Sequence, residues 1–142
     1  MRDYHAHEIG NVAVLGHSGC GKTSIVETMA YRAGAIGQIG NIQSGNTISD
    51  YSAEEIARQS SINLSIIPIE WDNCKINLID VPGTFDFVGE TEAALSVCES
   101  ALIICPSSFA LVGFSALQIY KVWFSAFSTV SQILLIINLL KY

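Results

Sequence analysis

The chain has 142 residues, half of them hydrophobic, and a formal net charge of −6. That describes one domain at most, with enough apolar residues for a core, and it excludes global disorder. The acidic balance argues against a non-specific DNA or RNA binder, because neutralising phosphates needs a basic surface. Residues 1–8 are polar and carry no apolar stretch, so no secretory leader is expected. The four cysteines, Cys20, Cys74, Cys98 and Cys105, form no C-x-x-C pair. They are expected to be reduced thiols of a cytoplasmic protein, most of them buried.

Residues 12–15 form an apolar run that predicts a buried strand, and residues 24–30 predict a helix. Between them Gly16, His17, Ser18, Gly19, Cys20, Gly21, Lys22 and Thr23 fit G-x-x-x-x-G-K-[ST] at every fixed position. Strand, glycine-rich turn and helix N-terminus together make a phosphate cradle. Glycines let the backbone wrap an anion with its N–H groups inward, and the helix end adds partial positive charge. Lys22 is placed to reach the terminal phosphates, and Thr23 to put its hydroxyl on Mg²⁺. An ordinary glycine turn would not need Lys-Thr directly after its last glycine. Cys20 sits at the helix start beside Lys22; a small residue tolerated in the loop is preferred to a redox sensor.

Residues 34–61 are polar and rich in Gly, Ser and Asn, long for a connection inside one domain. Within them 53–58 predict a short helix capped by Ser52. Ile62, Leu64 and Ile66 alternate with polar residues, which predicts a half-buried strand, and Pro68 marks it as an edge strand. Asp72-Asn73 supplies a tight turn, and 75–80 return as the second strand of a hairpin. That strand runs into Asp80, Val81, Pro82 and Gly83, a D-x-x-G pattern. Asp80 is placed to hold a water on Mg²⁺, and Gly83 to bring its N–H to a terminal phosphate. Such a turn is common by itself; its weight comes from following a phosphate loop. An ATPase also carries an Asp after such a strand.

Residues 101–105 read as a short parallel strand ending before Pro106. Residues 114–131 carry a polar stripe at helical spacing, which predicts an amphipathic helix, and 132–137 a further strand. Between Ser100 and Leu140 the only charge is Lys121, so a membrane hairpin is a rival reading; interrupted apolar runs suit buried elements better. The pattern as a whole predicts an α/β fold: a three-layer P-loop NTPase sandwich, mostly parallel, with an antiparallel hairpin at its edge. One domain is expected over 1–142, which the resemblance given below implies is incomplete. The ligand should sit beyond the strands' carboxyl ends, on 16–23, 34–61 and 81–89.

Four stretches carry a closer resemblance: 16–23, 45–51, 58–62 and 80–87, within a match running from about residue 11 to residue 113. They resemble bacterial translation elongation factor G, in its elongation factor G-like branch. The resemblance implies a GTP-binding domain that takes GTP or GDP with Mg²⁺, and a ribosome partner for the intact factor. It implies Thr23, Ser61 and Asp80 as metal-site residues, Ser61 standing where the family has a threonine. It implies Lys22, Gly83 and Thr84 as catalytic. The family usually has histidine at the position of Thr84, with tyrosine in some relatives, a departure that bears on hydrolysis more than on binding. Guanine is read in the family by N-K-x-D. Asn138 begins that motif here, but Leu139 replaces the lysine and Lys141 the aspartate. Two other readings stand beside the GTPase: a catalytically dead remnant with weak nucleotide binding, and a P-loop ATPase or kinase.

Overall fold

The computed structural model describes residues 3–104. The predicted elements at 114–131 and 132–137, and Cys105, Asn138, Leu139 and Lys141, lie outside them.

Four strands form one sheet, β1 (Ile9–Gly16), β2 (Ser65–Trp71), β3 (Cys74–Asp80) and β4 (Ser100–Ile104), in the order β2-β3-β1-β4. β1 runs parallel to both of its neighbours, with Val14 opposite Asp80 and Gly16 opposite Ile104. The chain therefore leaves β1, β3 and β4 at the same edge. β2 is antiparallel to β3 and forms the outer edge, which accommodates Pro68. Asp72 and Asn73 both take positive φ, 46° and 63°, as a two-residue turn matched to strand twist requires.

Helix α1 (Lys22–Arg32) buries Thr23, Val26, Glu27 and Ala30, the i, i+3, i+4, i+7 stripe of a one-sided helix. Val26, Met29 and Ala30 pack on Val12, Val14, Ile67, Ile69, Ile76 and Leu78 of the sheet. A short helix, α2 (Ala53–Arg58), lies in the connection that follows. On the opposite face of the sheet α3 (Val88–Val97) inserts Ala94 against Ile79 and Val81. Helices on both faces of a mostly parallel sheet give the expected three layers. Among the described residues no helix is long and apolar enough to cross a membrane.

Two expectations change. β2 begins at Ser65, and its inward residues are Ile67 and Ile69, while Ile66 is 59% exposed. The alternation counted from Ile62 has the opposite phase. The turn at Asp72-Asn73 sets the register by pairing Trp71 with Cys74, and a one-residue shift reverses every side chain. The backbone N–H groups of Ile62 and Asn63 donate instead to the Glu55 carboxylate. Second, Cys20, Cys74 and Cys98 are each only partly buried. Burial, with Glu99 beside it, still pushes the Cys98 thiol up to about 11.

The 34–61 connection is ordered from within. A 3₁₀ turn at Ile42–Ser44 is capped by the Asn41 side chain, and α2 by a reciprocal box of Ser52 and Glu55. Glu55 is buried, and its carboxylate accepts from the N–H groups of Ser52, Ile62 and Asn63. Burial pushes its pKa up, but these bonds more than offset that and hold the carboxyl below its ordinary value.

Candidate functional site

The site begins with the turn out of β1. Gly21 takes φ 95° at the N-cap of α1, a left-handed conformation that a side chain would strain, and no side chain caps the helix there. The first N–H groups of α1 therefore face the turn, as an anion site needs. Lys22 is buried to 6% exposure and donates from Nζ to the His17 carbonyl at 3.1 Å. Its ammonium is thereby folded back over the turn.

Parallel pairing of β1 with β3 brings the second turn, 80–83, to the same edge. The Gly83 carbonyl accepts from the Ser18 N–H at 3.2 Å. A Cβ on Gly83 would lie 2.5 Å from Ser18 N and 2.7 Å from the Gly16 carbonyl, and would also meet Lys22 Nζ. The 80–83 turn is thus seated directly on the phosphate loop, and only glycine fits there. Thr23 Oγ1 donates to Asp80 Oδ2 at 2.8 Å, bonding the two turns side chain to side chain.

A cleft of about 150 Å³ opens above this junction. Ser18, Gly19, Gly21, Lys22, Thr23 and Gly83 form one wall; Ile42, Asp50, Gln59, Ser60 and Ser61 form the other. Of the residues expected at the site, Asp80 lies directly behind Thr23. Gly16, His17, Cys20, Val81, Pro82 and Thr84 do not line the cleft. Cys20 packs on the core cluster instead. Val81 and Pro82 are buried behind the turn. Thr84 opens the 3₁₀ turn Phe85–Phe87, and its hydroxyl makes no capping bond. Asn138 lies outside the described residues.

Sequence reasoning missed Asp50. It is 4% exposed and lines the cleft opposite Thr23. Burial raises its carboxyl above the ordinary range, and Glu55 and Glu27 add to this; the Ser61 hydroxyl and Lys22 pull it down. Asp80, 1% exposed, is pushed by burial from 3.8 to about 6. Thr23, the nearby Ser49 hydroxyl and Lys22 oppose that shift, and Asp50 adds to it. Asp80 Oδ1, Asp50 Oδ1 and Ser49 Oγ are buried without a hydrogen-bond partner.

Two buried carboxylate oxygens left unpaired, on acids next to the hydroxyls of Thr23 and Ser61, form a hard-oxygen donor set. It suits Mg²⁺, which takes one or two carboxylates and completes its shell with water and phosphate. A self-sufficient metal cage is absent: among the described residues no three His, Cys, Asp or Glu side chains cluster for a metal. The donor set fits a metal that arrives with an anion.

The Asp80 shift has a measurable consequence without any ligand. Between pH 3.8 and about 6 the folded chain holds a proton that the unfolded chain has lost. Stability should therefore fall as pH rises through that window and level off above it, by on the order of 2–3 kcal/mol. Asp80→Asn should flatten this component in urea-unfolding curves taken across the window. A difference between the two proteins that does not change with pH would mean that Asp80 ionises normally.

Comparison with known proteins agrees with the geometry. Residues 7–139 match the family described as the elongation factor Tu GTP binding domain. An elongation factor G-like protein of Synechocystis is 39% identical over 102 residues, covering 72% of this chain and 15% of that protein. A tetracycline resistance protein TetM of Ureaplasma urealyticum is 37% identical over 97 residues, with 68% and 15% covered. A crystal structure of a Thermus thermophilus protein superposes with a TM-score of 0.66 at 34% identity, over 69% of this chain and 15% of that one. The chain thus spans about 15% of the length of these relatives. It belongs to the elongation factor Tu GTP-binding domain family of translational GTPases.

Proposed function

We propose that this chain is the nucleotide-binding part of an elongation factor G-like GTPase, holding the phosphates of GTP or GDP in the cleft above Lys22 and Thr23. The observation that carries this is the bonded junction of the two turns: Thr23 on Asp80, and Gly83 on Ser18. Both phosphate motifs thereby serve one hollow. Lys22 and the amides of Ser18 to Gly21 would neutralise phosphate charge, and the Gly83 N–H would approach the terminal phosphate. Thr23, Asp80 and Ser61, with Asp50 beside them, would hold Mg²⁺. When bound, that ion neutralises charge on the phosphates. Thr84 would orient the attacking water in hydrolysis.

Binding without turnover is a second reading, favoured by one observation: Thr84 is outside the cleft lining, and a threonine is shorter than the family's histidine. A ribosome partner, a role in translocation and a cytoplasmic location belong to the intact factor, and rest here on family membership.

Calorimetric titration of the full chain with GDP and GTP, with and without Mg²⁺, tests the reading. Heat of one-site binding that strengthens with Mg²⁺ is expected. No binding of either nucleotide up to about millimolar concentration, or roughly −4 kcal/mol, overturns it.

A further inference from the structure

Glu27 is the most deeply buried charged side chain of α1, 1% exposed, and nothing in the nucleotide reading uses it. It lies one helical turn beyond Thr23. Its Oε2 accepts from the Gly40 N–H at 2.7 Å, and its Oε1 accepts from the Ile48 N–H. These two amides stand at the neck of the 41–47 segment. There the two sides of the loop nearly touch: a Cβ on Gly40 would come within 2.5 Å of the Asn46 carbonyl and 2.8 Å of Thr47 Cα. Asn41 N–H closes the neck further, donating to Asn46 Oδ1 at 2.7 Å. One carboxylate on the phosphate-loop helix thus clamps both sides of a loop that carries Ile42 and Asp50 into the cleft.

We propose that Glu27 is a positioning residue: it latches the neck of the 34–61 loop to α1 and so sets where Asp50 stands opposite Thr23. Resting on the nucleotide-site reading above, this names the element that couples that loop to the phosphate loop. A carboxylate is required because both oxygens must accept; a glutamine presents one acceptor and turns an NH₂ toward the other N–H. The rest of the loop has its own anchor in Glu55, so loss of the latch frees the neck without unfolding α2.

Two variants of the full chain test this from opposite sides. Glu27→Gln keeps the volume and removes one acceptor. Gly40→Ala leaves α1 untouched and forces the neck open. In Glu27→Gln, hydrogen exchange at Gly40 and Ile48 should quicken about tenfold or more, while β1 and β3 amides keep their protection. Both variants should retain the GDP affinity measured in chelator and lose most of the gain that Mg²⁺ adds. Unchanged exchange at the two amides overturns the proposal. So does exchange that quickens equally in β1 and β3, which would make Glu27 a general stabiliser. An intact Mg²⁺ gain in both variants sinks the positioning role while leaving the nucleotide reading standing. A parent chain that binds no GDP at all takes down both.

Discussion

Lys22→Ala is expected to abolish the thermal shift that GDP or GTP produces in this chain. Among the described residues its ammonium is the one cation lining the cleft, and it stands over Gly83 at the point where the two phosphate turns meet. Its bond to the His17 carbonyl holds it there before any anion arrives, so little ordering remains to be done on binding. Charge-assisted bonds from one ammonium to phosphate contribute about 3 kcal/mol or more, a factor of a hundred or more in affinity. Each variant's shift should be read against its own ligand-free midpoint, because the loss of Lys22 also changes the ligand-free protein. A full shift in Lys22→Ala would place the nucleotide somewhere other than this cleft.

The fold was legible where local chemistry decides it. The phosphate loop, the Asp72-Asn73 turn, the edge position of Pro68 and the Ser52 cap each follow from residue types within a few positions of one another. The strand phase at 62–66 was not. The pattern there alternates correctly, but the backbone of Ile62 and Asn63 is claimed by Glu55, and that of Leu64 by Glu90 at 2.9 Å. Carboxylates reaching from two helices displaced the ladder bonds a strand would have made. No count of apolar residues detects that competition.

The same distinction runs through the site. Lys22, Thr23, Asp80 and Gly83 announce themselves because two compact motifs hold them in fixed spacing. Glu27 and Asp50 belong to neither of those two motifs. Glu27 finds its partners 13 and 21 residues away, through a loop whose path the sequence does not display. One signal was available: Glu27 occupies the i+4 position of the inward stripe that Thr23 begins, and a carboxylate on a buried stripe must be paired. Asp50 falls in the 45–51 stretch that carries the resemblance, but nothing in that stretch marks it as facing the cleft; only the folded loop brings it there.

Base selectivity should be weak, and this separates the chain most sharply from an efficient GTPase. The cleft of about 150 Å³ is smaller than the roughly 300 Å³ at which small-molecule sites begin. Among the described residues its lining offers backbone amides, hydroxyls, one ammonium, one carboxylate and the Gln59 carboxamide. GTP and ATP present the same phosphates and metal to all but Gln59, whose single amide can pair with either base. Discrimination needs a partner for the polar edge of the base, since a mismatched buried group then stays unpaired at high cost. In the N-K-x-D pattern that partner is the aspartate, which accepts from the guanine N–H groups. Lys141 stands at that position and has only donors to offer, and Leu139 has none. Asn138 alone remains of the motif. GTP and ATP should therefore bind within about tenfold of each other, or roughly 1.4 kcal/mol. Competition of the two against one fluorescent nucleotide analogue, in the presence of Mg²⁺, measures the ratio directly. A hundredfold preference for GTP would mean that another residue reads the base, and that the substitutions at 139 and 141 do not bear on recognition.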